Sequence, residues 1–254
     1  MFLTRFRVNV ARPGGRRLIS SPQVTHAAVM SAFPHLLPGD GPGRPGGPRV
    51  LWRLDANSRA EVLLYVVSPD RPDLTHLVEQ AGWPHVATKE EPGWLTRPYG
   101  PFLERLASGS EWDFRLTANP VHYARRKDGE PTKRTAHRTP HHQMDWLLKR
   151  CQEETGFRVT QKPDHARLLP DGTTHQGRPH HGDRYHLTVR DVRPLKFLKP
   201  AEGTAAKNRV TVLTATFDGR LEVTDPDALR RTLTQGLGKA KAYGCGLMTL
   251  APIS

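Results

Sequence analysis

GLGKAKAYGCGL, residues 236–247, is the stretch on which the fold turns. Two Gly–hydrophobe–Gly steps, Gly236 to Gly238 and Gly244 to Gly246, bracket five residues that include Lys239 and Lys241. Glycine tolerates positive φ and close backbone approach, so such a loop can turn amide N–H groups toward phosphates. A helix C-cap needs one glycine, not four. Close packing at a domain interface stays open as a second use of the glycines. The segment before it, DALRRTLTQGL, follows Asp225-Pro226 and predicts a capped helix; the segment after it, GLMTLAP, predicts a short strand. Helix, glycine loop, last strand is the reverse of the strand–loop–helix order that dinucleotide and P-loop sites require. No nucleotide cofactor is expected.

Outward from this loop, strand patterns fall near FRVT (157–160), YHLTVRDV (185–192) and RVTVLTATFDGRLEV (209–223). WDFRLTANP, from Trp112, alternates as a strand, and Thr139-Pro140 opens a helix carrying Met144, Trp146, Leu147, Leu148 and Cys151. The first half has the same order. Residues 2–10 alternate, with Phe2, Thr4, Phe6, Val8 and Val10 on one face. The segment ARPGGRRLIS predicts a loop around a Gly-Gly turn, and Ser21-Pro22 predicts the start of a helix running to about Phe33. Strands VLWRLD (50–55) and EVLLYVVS (61–68) and a helix over Pro72–Ala81 follow. The closing strand, somewhere in 82–106, has no clear pattern. The expectation is an α+β chain of two tandem ferredoxin-like (RRM-like βαββαβ) domains, 1–98 and 111–254, joined by a linker at 99–110. PGDGPGRPGGP (38–48) predicts a surface loop.

The 254 residues carry 38 Lys and Arg against 25 Asp and Glu, a net charge of +13, which predicts a polyanionic partner. The N-terminus is too charged for a signal peptide and no apolar run could span a bilayer, so a cytoplasmic protein is expected. The two cysteines, Cys151 and Cys245, form no CxxC pair. Thirteen histidines invite a metal reading. His141 and His142 are adjacent on a helix and point apart; His175, His180, His181 and His186 lack a carboxylate-rich or HExxH partner. No metal is expected. Nor is a helix-turn-helix or dimer signature of a DNA-binding regulator present. The sheet faces lack the aromatic pairs of single-strand-binding RRM domains, which favours a hairpin partner.

The glycine pattern, lying between last helix and last strand, resembles that of the repeat-associated RAMP superfamily of CRISPR proteins. MFLTRFRVN, SPQVTHAAV, VLWRLD, FRLTANP and GRLEVTDPDAL…GLGKAKAYGCGLMTLAP extend the resemblance to the CasE family along most of the chain. The resemblance implies a metal-independent endoribonuclease. It would bind CRISPR repeat hairpins, cut at the stem base by 2′-OH attack, and stay on the mature crRNA beside other type I-E Cascade subunits. A non-catalytic RNA-binding subunit of such a complex is the alternative. The family's general acid/base histidine lies early in the first helix, where this chain has His26. A tyrosine that often stands three residues earlier is Gln23 here, and Met30 and Ser31 replace a basic residue further along. Arg16, Arg17, Lys239 and Lys241 are therefore the candidates to stabilise transition-state charge. Two basic segments are expected to hold RNA, with Arg12 beside them. One is Arg125, Arg126, Lys127, Lys133, Arg134 and Arg138; the other, Arg190, Arg193, Lys196, Lys199, Lys207 and Arg209, resembles the family's basic hairpin.

Overall fold

The computed structural model describes residues 1–33, 49–125, 131–168, 182–200 and 207–253, and the short stretches 174–175 and 178–179; side chains are described throughout except at 174–175, 178–179, 198–200 and 207–209. The predicted loop at 38–48 and His180 and His181 lie outside the described residues, as does the His175 side chain.

The first half runs β1 (Phe2–Val8), α1 (Pro13–Ser20), α2 (Pro22–Met30), β2 (Leu51–Ala56), β3 (Val62–Ser68), α3 (Thr75–Ala81) and β4 (Trp94–Pro98). Its sheet has the order β2–β3–β1–β4 with every pair antiparallel, the ferredoxin-like arrangement. The alternation of β1 decides its faces: Phe6 and Val8 join Trp52, Leu64, Val66 and the helices in one core. The closing strand that the sequence pattern left unclear is β4, five residues whose Thr96 hydroxyl bonds that of buried Thr4 at 2.9 Å.

The predicted loop at 11–20 is instead helix α1. Gly14 and Gly15 are not turn residues. A Cβ on Gly14 would stand 2.2 Å from the Gln80 carbonyl oxygen, and one on Gly15 would stand 2.0 Å from that of Asn9. The glycine pair lets α1 lie against the end of α3, and Pro13 in the first turn suits a helix start. Ser21 then caps α2 by accepting from the Val24 amide, a bond worth about 1 kcal/mol.

The second half runs α4 (Gly100–Glu104), β5 (Glu111–Ala118), β6 (Val121–Ala124), β7 (Lys133–Ala136), α5 (Pro140–Cys151), β8 (Phe157–Val159), β9 (Thr174–His175), β10 (Arg178–Pro179), β11 (Leu187–Pro200), β12 (Lys207–Val223), α6 (Pro226–Gln235) and β13 (Met248–Ala251). β13, β5 and β12 repeat the fourth, first and third positions of a ferredoxin-like sheet. The second position is shared, since β8 pairs with Leu221–Val223 of β12 and β11 pairs with Lys207–Gly219. β5 covers only Ala215–Glu222 of β12. Beyond it, Lys207–Thr214 and Arg193–Pro200 form a two-stranded ribbon, offset by a bulge at Arg190–Arg193 where Asp191 has φ 51°. At the two ends of the first basic segment, β6 and β7 pair antiparallel as a hairpin, for which the sequence showed no strand pattern.

The two halves are joined by a buried arginine. Arg53, 1% exposed, leaves β2 on the face opposite the helices. It bonds both Asp55 carboxylate oxygens at 2.6 and 2.8 Å, the carbonyls of Arg115 and Leu247 at 2.8 and 2.9 Å, and the Thr249 hydroxyl at 2.8 Å. Leu51 and Val67 share a core with Leu116, Phe217 and Leu247 of the second half.

Candidate functional site

His26 lies mid-way along α2, half-buried, above Trp52 of β2. Trp52 is 2% exposed, and a buried indole N–H needs an acceptor. It finds one in His26 Nδ1, at 3.4 Å. Among the described residues the other ring nitrogen, Nε2, makes no hydrogen bond to the protein. Burial holds the His26 pKa below the ordinary histidine value, so the ring is neutral at neutral pH.

The glycine loop wraps the far side of Trp52. All four of its pattern glycines have positive φ, between 77° and 92°. A Cβ on Gly244 would lie 2.7 Å from the Trp52 ring, and one on Gly236 would lie 2.9 Å from Leu51. The glycines thus bring the loop into contact with β2. The amides of Gly236, Gly244 and Gly246 donate to the carbonyls of Thr232, Lys241 and Thr117. This is the interface-packing use of the motif; those three N–H groups are consumed within the protein rather than turned toward a phosphate. Gly238 sits against the Trp146 ring instead.

Between the glycine pairs, a 3-10 turn at Lys241–Tyr243 packs against α2. The Lys241 ammonium donates to the Gly238 carbonyl at 2.9 Å, and its pKa is lowered by burial first and by Arg49 and Lys239 second. Lys239 is exposed. Tyr243 meets Phe197 of the ribbon with ring centroids 4.5 Å apart. One loop therefore touches the helix of His26, the strand of Trp52 and the basic ribbon.

The other basic residues divide in two. Some serve the fold. Arg12 donates to the carbonyls of Glu79 and Gly82 at the end of α3. Arg190 is paired with Asp218 and Asp191. Arg16, exposed on α1, donates to the Ala11 carbonyl at 2.6 Å. Others are exposed with no ion pair among the described residues: Arg17 on α1, Arg125, Lys133 and Arg134 on the β6–β7 hairpin, and Arg193 and Lys196 on the ribbon. Neither Arg16 nor Arg17 bonds His26. Arg126 and Lys127 lie outside the described residues, as do the side chains of Lys199, Lys207 and Arg209.

A groove of about 1150 Å³ runs between the β6–β7 hairpin and α5, lined by His122, His137, His142, Tyr123, Lys149 and, from the glycine loop, Lys239. The His122 and His137 rings lie 4.3 Å apart. His141 pairs with Asp145 at 3.4 Å and His142 bonds the Thr139 hydroxyl, with the two ring centroids 5.4 Å apart. Among the described residues no three His, Cys, Asp or Glu side chains form a metal-binding group. Burial raises the thiols of Cys151 and Cys245 to about 12, so neither is a nucleophile at neutral pH.

Sequence reasoning read VLWRLD only as a strand and missed both Trp52 and Arg53. One signal was present: Arg53 and Asp55, two apart in an apolar strand, share a face and announce a buried pair.

The sequence matches the CRISPR associated protein family over residues 1–252. It is 30% identical over 255 residues to the CRISPR-associated endoribonuclease Cse3 of Thermus thermophilus, covering 99% of this chain and 100% of that one. The chain belongs to the CRISPR-associated CasE family. A 65-residue stretch, 26% of this chain and 32% of the relative, is 37% identical to the CRISPR system Cascade subunit CasE of Escherichia coli. Among solved structures, a CRISPR endoribonuclease Cse3 bound to 19 nt RNA matches with a TM-score of 0.68 at 28% identity, covering 99% of this chain and 100% of that one. Thermus thermophilus Cse3 bound to an RNA representing a pre-cleavage complex matches with a TM-score of 0.66 at 26% identity, over 99% and 98%. CasE membership agrees with the paired ferredoxin-like sheets.

Proposed function

We propose that this CasE-family chain is a metal-independent endoribonuclease of CRISPR precursor RNA. It binds the repeat hairpin, cuts at the stem base through the 2′-OH beside the scissile phosphate, and leaves a 2′,3′-cyclic phosphate and a 5′-OH. It then remains on the crRNA among the other subunits of a type I-E Cascade, in the cytoplasm. Full-length similarity to an endoribonuclease supports the activity. The observation that carries the assignment of the site is the meeting of His26, the glycine loop and the basic ribbon through Trp52, Tyr243 and Phe197.

RNA brings its own nucleophile, so the protein's work is to hold the 2′-oxygen in line with phosphorus, serve the leaving 5′-oxygen and offset the phosphorane charge. His26 serves the leaving oxygen. Arg16 and Arg17 on α1, which packs on α2, and Lys239 and Lys241 of the glycine loop are the candidates to offset the charge. Arg193, Lys196, Lys133 and Arg134 follow the stem backbone, because an A-form duplex presents phosphates and 2′-hydroxyls rather than readable major-groove edges.

Purified protein and His26→Ala are incubated with the host repeat hairpin in EDTA, beside a substrate carrying 2′-H at the scissile position. Wild type should cut the ribose substrate only, and His26→Ala should be slower by about 100-fold or more with unchanged affinity. Tight binding without cleavage by either protein would leave an RNA-binding subunit and no enzyme.

A further inference from the structure

We propose that Trp52 is a positioning residue that fixes His26 in its Nε2–H tautomer, so that the ring edge left free for RNA donates a hydrogen bond and does not accept a proton. This rests on the assignment of His26 to the reaction. The argument is one of donor and acceptor inventory. An indole nitrogen can only donate, and Trp52 Nε1 faces His26 Nδ1 at 3.4 Å. Nδ1 must then hold its lone pair inward, which puts the single proton of neutral imidazole on Nε2. The bond is long, but the indole is 2% exposed and has no other partner among the described residues.

The tryptophan is itself immobilised. Gly244 has no side chain, and its α-carbon rests where any Cβ would fall 2.7 Å from the indole. The glycine loop thereby acts on His26 through Trp52, a use of the motif distinct from phosphate binding.

Protonation at Nδ1 would set two N–H groups against each other, so the pair resists the imidazolium. Burial works in the same direction. Among the described residues, the charged and titratable groups on the elements around α2 are Arg16 and Arg17 of α1, His76 and Glu79 of α3, Arg49 ahead of β2, the Arg53–Asp55 pair on the far face of β2, and Lys241 and Tyr243 of the 3-10 turn. None contributes to the His26 shift, for which desolvation is the one cause.

Chemically this removes His26 as the base for the 2′-OH. That proton leaves to solvent hydroxide, forming water. The 2′-oxygen bonds to phosphorus and the P–O5′ bond breaks. The electron pair departing on O5′ is met by the Nε2–H hydrogen bond, and water then protonates O5′ and regenerates hydroxide. His26 ends as it began, a neutral donor, in the manner by which other enzymes use a neutral imidazole as an electrophile.

Nitrogen-15 NMR of histidine-labelled protein tests the tautomer directly, with the His26 signals assigned by their absence in His26→Ala. Wild type should show protonated Nε2 and bare Nδ1. Trp52→Phe keeps an aromatic ring in place and removes the donor; the His26 tautomers should then mix and its pKa should rise. Gly244→Ala, which pushes the indole without altering either partner, should move the same signals. Single-turnover cleavage by Trp52→Phe should slow by about tenfold, the factor that one hydrogen bond of positioning carries, and should acquire a histidine titration between about pH 5 and 8 that wild type lacks. Bare Nε2 in wild type, or signals in Trp52→Phe identical to wild type, would overturn the proposal even if His26→Ala is inactive. Full activity in His26→Ala would instead remove His26 from the reaction while leaving the tautomer result intact.

Discussion

The two halves share one strand order and use its second position in opposite ways. In the first half, β2 is a six-residue strand with both faces engaged: Trp52 toward the helices, Leu51, Arg53 and Asp55 toward the other half. In the second half the same position is divided between β8 and β11, and β11 runs past its own sheet as a ribbon. One copy of the slot became an anchor and the other an arm. The cations follow that division. Arg53 is sealed among five acceptor contacts, whereas Arg193 and Lys196 stand in solvent unpaired among the described residues.

The comparison breaks most visibly at Arg53. In Arg53→Met the Asp55 carboxylate loses its principal partner, and the carbonyls of Arg115 and Leu247 lose a donor. Removing one side of a buried pair costs about 3–5 kcal/mol, and Arg115, 3.6 Å from Asp55, offsets only part of it. Urea denaturation should show a loss of that size, largely recovered in the double variant Arg53→Met/Asp55→Leu. A single-variant loss below about 1 kcal/mol would mean the halves are held by their shared apolar core alone.

How far this arrangement could be read from sequence depended on the range of the interaction. Helices α2, α5 and α6 announce themselves through Ser21-Pro22, Thr139-Pro140 and Asp225-Pro226, since capping is local chemistry. Strands β1, β2, β3, β5 and β12 follow from alternation or apolar runs. Helix α1 was misread because Gly14 and Gly15 answer to Gln80 and Asn9, partners that only the tertiary fold supplies. The strands of the hairpin β6–β7 bury none of their residues, so they carry no period for a pattern to detect. The site divides likewise. His26 was reachable through family resemblance, but its bond to Trp52 links residues 26 apart and leaves no mark on spacing.

A second pair of substitutions sharpens the difference between cations that serve the fold and cations left for RNA. Lys196→Ala and Arg193→Ala should each weaken repeat-hairpin binding several-fold and reduce the salt dependence of affinity by about one unit of slope per charge. Arg190→Ala, whose guanidinium is paired with Asp218 and Asp191, should leave that slope unchanged and lower stability by about 1 kcal/mol instead. Filter binding across a salt series and a urea melt separate the two. Equal slopes lost in Arg190→Ala and Lys196→Ala would erase the distinction.

The smallest effect concerns the β6–β7 hairpin, which meets α5 through the rings of His137 and His142, tilted with centroids 5.8 Å apart. His137 is pushed down to about 4, by burial first, then by His122 and His142; Lys149 adds to this and Asp145 opposes it. Its ordinary value is 6.5. Between those values the unfolded chain binds a proton that the folded chain refuses, so stability present at neutral pH is lost as pH falls from 6.5 toward 4. His137→Gln, which cannot titrate, should flatten that part of the curve. Thermal melts at about pH 7 and about pH 5, where histidine protonation changes, should show a larger drop in wild type than in the variant. Equal drops would place the acid sensitivity elsewhere. A neutral His137 also adds no charge to the groove, so the variant's affinity for the hairpin at neutral pH should match wild type. That leaves phosphate binding along this groove to Arg138, Lys149 and Lys239, while Arg150 is paired with Glu153, the same division between structural and free groups that the ribbon shows.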